Sequence, residues 1–448
     1  MAQGAQVIDH LIILMMENRS FDHYLGALSL EGRTDVEGLP AVPVPQPDLD
    51  GNPVLPFCLD GNALAGVNDP PHGWGPAHDA FNGGQNDGFV KAYQQFYRAK
   101  GIEVDPRIPL GYYTRKHLPA IYALADEFTV CDHWFGSVMS STWPNRKYLH
   151  SGRRDHDNDT QTLPLPPGFR TTPIYEAIER ATDPKNGRPL SWANYFCDLP
   201  FMAFWYRFAL THRHRFHHIT QFLTDCHTDQ LPTISVIDPP FSLADDHPPC
   251  DPLLGQKFIG LIVDALTHSP AWEKSALVLL YDENGGFADH VAPPTAPEPH
   301  SEDTPLGFRV PAVIVSPYAK KKYVSKVVYD HTAILKSIHT RWGVTFDERF
   351  GERWRFMPDI WSDAFDFEAP ARPPATYTGE PLRDLHWASG IHARLNDPPG
   401  AFEALLERIF LLPELKALDR RHQIYDGLNE LEQSVVAIKR MHDASSLV

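Results

Sequence analysis

The stretch Ala276–Val291, ALVLLYDENGGFADHV, constrains this chain more than any other. Leu277–Tyr281 is a short continuous apolar run, the pattern of a strand covered on both faces in a parallel sheet. It ends abruptly in Asp282 and Glu283, followed by Gly285 and Gly286. Two carboxylates at the end of a buried strand are costly to keep charged unless a cation pairs them. Neighbouring side chains of a regular strand point to opposite faces. Both therefore reach one ion only where the chain bends, and glycine makes that bend easy. The carboxyl ends of strands are also where open α/β sheets place ligands. The stretch thus predicts a metal site at Asp282 and Glu283. An acidic turn in water is the plainer alternative.

The same pattern opens the chain. Val7–Met16 (VIDHLIILMM) is an apolar strand candidate that ends in Glu17 and Asn18. A carboxylate and an amide oxygen suit hard cations such as Ca²⁺, Mg²⁺ or Mn²⁺. A polar cap on the strand would look the same, but two such strand ends in one chain favour metal. Further on come Asp69-Pro70-Pro71-His72 and His78. Isolated histidines are commonly structural, so these two rank second. Ser140-Ser141-Thr142-Trp143-Pro144-Asn145-Arg146 places a hydroxyl ahead of an amide and a cation. That grouping suits a nucleophile for a phosphate or sulfate ester, or a cap on a helix beginning near Asn145. Pro144 is expected to hold Trp143 extended.

The remaining pattern alternates. Leu118–Glu127 reads as helix, Phe128–Trp134 and Pro232–Asp238 as strands, and Asp251–His268 as a helix leading into the central strand. Phe258, Leu261, Ile262, Ala265 and Leu266 form its apolar face. This βαβ unit puts His247 in the loop after a strand, where chemistry sits in such folds. Phe308–Val315 reads as a strand, and Val328–Trp342 as a helix opening on Asp330-His331. The whole predicts an α/β fold with a mostly parallel sheet. Residues 152–230 are hard to read; the aromatics between Trp192 and Phe208 could line an acyl subsite or simply fill the core. We divide the chain into a catalytic domain over 1–365, a linker over 366–382 and a helical extension over 383–448. The stripe Leu428, Leu431, Val435 and Ile438 could pack back on the core or pair with another subunit, giving a homo-oligomer.

A net charge of −17 argues against nucleic acid as a partner and against anionic membrane surfaces. Five scattered cysteines without a CxxC read as reduced thiols. No run is long enough for an integral membrane segment. The N-terminal apolar run lacks a basic lead-in, so it reads as a strand and not a signal peptide, and a cytoplasmic location is expected.

ENRSFDHYLG at Glu17–Gly26, DPPH at Asp69–His72, STWPNR at Ser141–Arg146, HPP at His247–Pro249 and DENGGFADHV at Asp282–Val291 occur in one order. Together they resemble the phosphoesterase family of bacterial non-haemolytic phospholipases C, plant non-specific phospholipases C and related acid phosphatases. The likeness runs from about residue 7 to 343. It implies the alkaline phosphatase-like sandwich, a central mostly parallel sheet flanked by helices. It also implies one divalent metal ion (Ca, Mg, Mn or Zn) on Glu17, Asn18, Asp282 and Glu283, Thr142 as nucleophile, and His247 and His72 lining the site. On that basis His247 donates the proton to the leaving alkoxide with His72 or His331 in reserve, Asn145, Arg146 or both hold phosphoryl oxygens, and Arg146 and His331 are placed on the substrate side. The implied activity is hydrolysis of a phosphodiester such as phosphatidylcholine through a phosphothreonine. A broad acid phosphatase on monoesters and a catalytically silent, metal-stabilised binding protein are the alternatives. The sequence departs from the pattern in showing no export signal or C-terminal β domains, and in having Ala288 where an aromatic residue is common.

Overall fold

The computed structural model describes residues 4–64, 67–155, 158, 168–241, 243–299 and 301–377. Among them, eight strands form one sheet: β1 (His10–Met16), β2 (Thr129–Cys131), β3 (Trp192–Phe196), β4 (Phe216–His218), β5 (Ile234–Ile237), β6 (Ser275–Tyr281), β7 (Ala312–Val315) and β8 (Tyr323–Ser325), in the order β8-β2-β7-β6-β1-β5-β3-β4. All pairings are parallel except those of β7, which runs against both neighbours. This is the α/β sandwich the sequence predicts.

The two most apolar runs lie at its centre. β1 and β6 pair side by side from His10 opposite Ser275 to Met16 opposite Tyr281. Leu11 to Met16 and Ala276 to Tyr281 are all buried. Each large aliphatic side chain so covered contributes about 1.5–3 kcal/mol, and neither strand could face water on either side.

The helices that matter for the site are α1 (Trp74–Phe81), α2 (Pro119–Glu127), α3 (Thr142–Ser151), α4 (Pro252–Thr267) and α5 (Ala333–Trp342). α4 starts where local chemistry says it should: Asp251 accepts from the Leu253 amide, and Pro252 occupies the first turn. Its buried stripe is Phe258, Ile259, Ile262, Val263 and Leu266, turned slightly from the predicted face, with Leu261 and Ala265 only half-buried. Gln256 Oε1 on α4 accepts from the Ile121 amide of α2 at 2.9 Å. α3 ends at Gly152, whose φ of 69° is a left-handed helix stop.

β3 and β4 are the strands that the reading of 152–230 did not resolve. Trp192, Tyr195, Phe204, Trp205 and Phe208 are buried, so they are core and not an exposed acyl subsite. Of the linker assignment, 366–377 is described and lies on the domain: Asp366 N donates to Tyr318 O at 2.8 Å, and Trp272 Nε1 to Arg372 O at 2.9 Å. The helical extension lies outside the described residues. All five cysteines are free thiols. Among the described residues, no helix is long and apolar enough to cross a membrane.

Candidate active site

Because Met16 pairs with Tyr281, Glu17 and Asp282 leave the sheet at one edge, beside each other. Asn18 takes a φ of 57°, turning the chain back. Its amide donates to Asp282 Oδ1 at 2.9 Å, and the Glu283 amide donates to the same oxygen at 2.8 Å. The predicted bend at the glycines is present. Gly285 and Gly286 have φ of 61° and 70°; a Cβ on Gly285 would lie 2.1 Å from the Asn18 carbonyl, and one on Gly286 would strike Pro70. Only glycine lets the three motif loops close together here.

Thr142 is the first residue of α3, with Ser141 as its cap. Its Oγ1 donates to Glu17 Oε2 at 3.1 Å and lies 3.5 Å from Asn18 Oδ1. The two readings of this segment merge, since the nucleophile candidate opens the helix. Trp143 is helical and not extended, because Pro144 falls in the first turn, where its missing N–H costs nothing.

Asn145 and Arg146 sit deeper than predicted. The Asn145 amide group donates to the carbonyls of Val138, Ser140 and Ser141 and its oxygen accepts from Val138 N, so it fastens the turn before Thr142. Arg146 has no exposed surface. Its Nε donates to Glu17 Oε1 at 2.8 Å and its Nη2 to the Met15 carbonyl at 3.0 Å; Asp238 and Asp282 lie at 3.4 and 3.7 Å. Holding phosphoryl oxygens directly is closed to both by burial. Their places are those of a scaffold and a counter-charge.

The histidines divide in the same way. His72 Nδ1 donates to Pro70 O at 2.8 Å, which leaves Nε2 to accept from Asn18 Nδ2 at 3.1 Å. His247 Nδ1 donates to Pro248 O at 2.6 Å, and its Nε2 lies 3.7 Å from Asp69 Oδ2. The ligand atoms of Asp69, His72 and His247 lie within 4.8 Å of one another, so the DPPH and HPP motifs meet. His331 is buried: its Nε2 donates to the Asp282 carbonyl at 2.7 Å while Nδ1 accepts from Trp134 Nε1. Both nitrogens are spent inside the fold, so the substrate-side place predicted for His331 becomes a support behind Asp282. His78 stacks on Trp74 and bonds the Trp74 carbonyl within α1.

The charge balance is acidic. Burial first, and then the Glu17 charge, pushes the Asp282 carboxyl up to about 7. Burial and then Asp282 push Glu283 well above the usual carboxylate range, and burial with Glu17 does the same to Asp245. Asp282 Oδ2 and Glu283 Oε1 are buried without a hydrogen-bond partner. Buried carboxylate oxygens without a hydrogen-bond partner are the donors an oxygen-preferring divalent cation takes, although among the described residues the groups drawn within 4.8 Å are Asp69, His72 and His247, and Asp22, Asp289 and His290, and not Glu17, Asp282 and Glu283. In donor chemistry, the carboxylates of Glu17, Asp282 and Glu283 and the amide oxygen of Asn18 fit such an ion.

Sequence reasoning passed over Asp69, Asp238 and Asp246, and undervalued Arg19. Asp238 carried a legible signal, since it ends the apolar run PTISVID as Asp282 ends its own.

Residues 8–345 match the model of the phosphoesterase family. Phospholipase C A of Mycobacterium tuberculosis (strain ATCC 25618 / H37Rv) is 34% identical over 433 residues, covering 84% of this chain and 80% of that protein. Phospholipase C B of the same strain is 33% identical over 423 residues, covering 82% and 79%. Non-specific phospholipase C1 of Arabidopsis thaliana is 29% identical over 384 residues, covering 80% and 70%. With the family model matched over most of its length and its site motifs gathered at one edge of the sheet, this chain belongs to the phosphoesterase family and is a hydrolase of phosphoester bonds.

Proposed function

We infer that the protein is a metal-dependent, phospholipase C-like phosphodiesterase acting on phosphatidylcholine-type esters through a covalent phosphothreonine. One observation supports this most: the Thr142 hydroxyl stands at a helix N-terminus, 3.1 Å from Glu17 Oε2 and 3.5 Å from Asn18 Oδ1, both at the end of the strand that pairs with the one carrying Asp282 and Glu283. Glu17, Asn18, Asp282 and Glu283 would hold one divalent cation. When bound, that ion would polarise a phosphoryl oxygen and favour ionisation of the Thr142 hydroxyl.

The protein's own groups account for the rest. Thr142 Oγ1 attacks phosphorus and passes its proton to Glu17. The bond from phosphorus to the leaving oxygen breaks as His247, protonated, delivers a proton from Nε2 to that oxygen. The helix N-terminus of α3 favours the negative phosphoryl group. In the second half, neutral His247 takes a proton from water as the water oxygen bonds phosphorus. Thr142 then leaves, recovering its proton from Glu17. Arg146 keeps the Glu17 and Asp282 charges tolerable, and Asn145 holds the turn that aims Thr142.

A phosphomonoesterase is the second reading. The burial of the 192–208 aromatics favours it, because it removes the acyl surface that a diacylglycerol leaving group would use.

Release of p-nitrophenol from p-nitrophenyl phosphocholine and p-nitrophenyl phosphate, by metal-free protein given Ca²⁺, Mg²⁺, Mn²⁺ or Zn²⁺ in turn, tests both. The expected result is diester turnover restored by a cation and abolished in Thr142→Ala, with His247→Ala losing about 10²–10⁴-fold. Monoester turnover alone selects the second reading. Full activity in Thr142→Ala sinks the covalent route.

A further inference from the structure

Three site-bearing segments are tied together one residue away from their functional side chains. Arg19 follows Asn18, Asp246 precedes His247, and Tyr281 precedes Asp282. All three are buried. Arg19 Nε donates to the Asp246 carbonyl at 2.6 Å, and the Tyr281 hydroxyl donates to Asp246 Oδ2 at 2.6 Å. Asp246 has a φ of 76°, the left-handed region that residues other than glycine seldom occupy. Such a conformation persists where the surroundings over-determine it, and here a guanidinium holds its carbonyl while a phenol holds its carboxylate. That turn sets the direction in which the chain enters His247. The carboxylate rests over Gly255 of α4, where an added Cβ would lie 1.9 Å from Asp246 Oδ1. The neighbouring main chain runs the same link: Glu17 N donates to Asp245 O at 2.9 Å, and His247 N to Asp245 Oδ1 at 3.0 Å.

The geometry points to Asp246 as the positioning residue for His247, held by Tyr281 and Arg19 and given its room by Gly255. This rests on the reading of His247 as proton donor. Tyr281 thereby couples the strand that carries Asp282 and Glu283 to the loop that carries the acid, through one phenol. A packing role alone would not require the left-handed turn, the hydrogen bond at each end of Asp246 and the missing Cβ at Gly255 together.

Tyr281→Phe keeps the ring and removes a single hydrogen bond. Its kcat/KM is compared with wild type, His247→Ala and the double variant, on p-nitrophenyl phosphocholine and on an alkyl phosphocholine ester, all with saturating cation. Proton donation matters most for the poor alkyl leaving group. The expected loss for Tyr281→Phe is about 10-fold on the alkyl ester and under about twofold on the nitrophenyl ester, with no further loss in the His247→Ala background. Equal losses on both esters, or the same loss with and without His247, would overturn the proposal. Gly255→Ala presses on the same carboxylate from the other side with Tyr281 intact, and is expected to give the same pattern should Tyr281→Phe fold poorly. If His247→Ala leaves alkyl-ester turnover unchanged, the proton-donor reading fails by itself. The positioning is then read from the imidazole ¹⁵N shifts of His247 in Tyr281→Phe: displaced shifts sustain it, and unchanged shifts end it.

Discussion

At the scale of single residues, Arg146 has the most to balance. It is buried beside Glu17, Asp238 and Asp282, and its Nη2 lies 2.6 Å from Glu17 Oε1. Removing one partner of a buried pair leaves an uncompensated charge and costs about 3–5 kcal/mol. Arg146→Met should therefore destabilise the metal-free protein by about that amount in urea unfolding. A divalent cation should recover more of the loss than it adds to wild type, because it restores positive charge between the same carboxylates. Equal cation effects on the two proteins would separate Arg146 from the ion site. That arginine is the clearest case of a site residue whose type was legible and whose role was not: PNR reads as an anion clamp until the fold turns the guanidinium inward.

At the scale of elements, α3 joins the site to the core. Thr142 at its first position is held by the turn that Asn145 pins, and Gly152 ends it. A Cβ on Gly152 would lie 2.1 Å from the Phe350 carbonyl, on a backbone with φ of 69°. Gly152→Ala should lower stability by at least about 1–2 kcal/mol, the cost of a left-handed alanine. It should leave kcat/KM on p-nitrophenyl phosphocholine within about twofold, since the change falls at the far end of the helix. Thermal unfolding beside the rate assay checks both halves, and a large rate loss at full stability would show that the C-terminal end of α3 moves Thr142. Elements with strong local signals, such as β1, β6 and α4, fall where the sequence puts them. β3 and β4 do not, because WANYF and FHH are short and mixed. Asn194 inside β3 is tolerated because it donates to Asp238 Oδ2 at 2.9 Å and to the Val236 carbonyl at 3.3 Å, partners far along the chain.

At the scale of the whole molecule, the proposed cation site would link stability and cation binding through pH. Burial holds Asp282 near 7 and pushes Glu283 well up in the metal-free fold, both above the unfolded carboxylate range. A folded value raised in this way gives stability that is fully present below the unfolded value, near pH 4, and lost as pH rises through the folded value. The metal-free protein should thus lose Tm as pH rises from about 5 to about 8. A cation that keeps the carboxylates ionised removes the penalty, so the rise in Tm on adding it should grow over the same range. Thermal shift with chelator and with cation across that range measures this, and Asp282→Asn should flatten the slope. A cation effect independent of pH would mean that these carboxylates do not hold the ion.

The sequence by itself determined that two continuous apolar runs must be buried strands, that each ends in hard oxygen groups, and that the alternation around them makes an α/β sheet. These are properties of neighbouring residues, and periodicity and burial cost express them locally. What only the tertiary structure decided is which ends meet and which way each side chain turns. Asn18 and Asp282 are 264 residues apart and meet because Met16 pairs with Tyr281. Asn145, Arg146 and His331 carry the chemistry of substrate contacts, yet they are buried behind the residues they support. A residue's type sets what it can bond, but contacts across hundreds of residues set what is there to bond with.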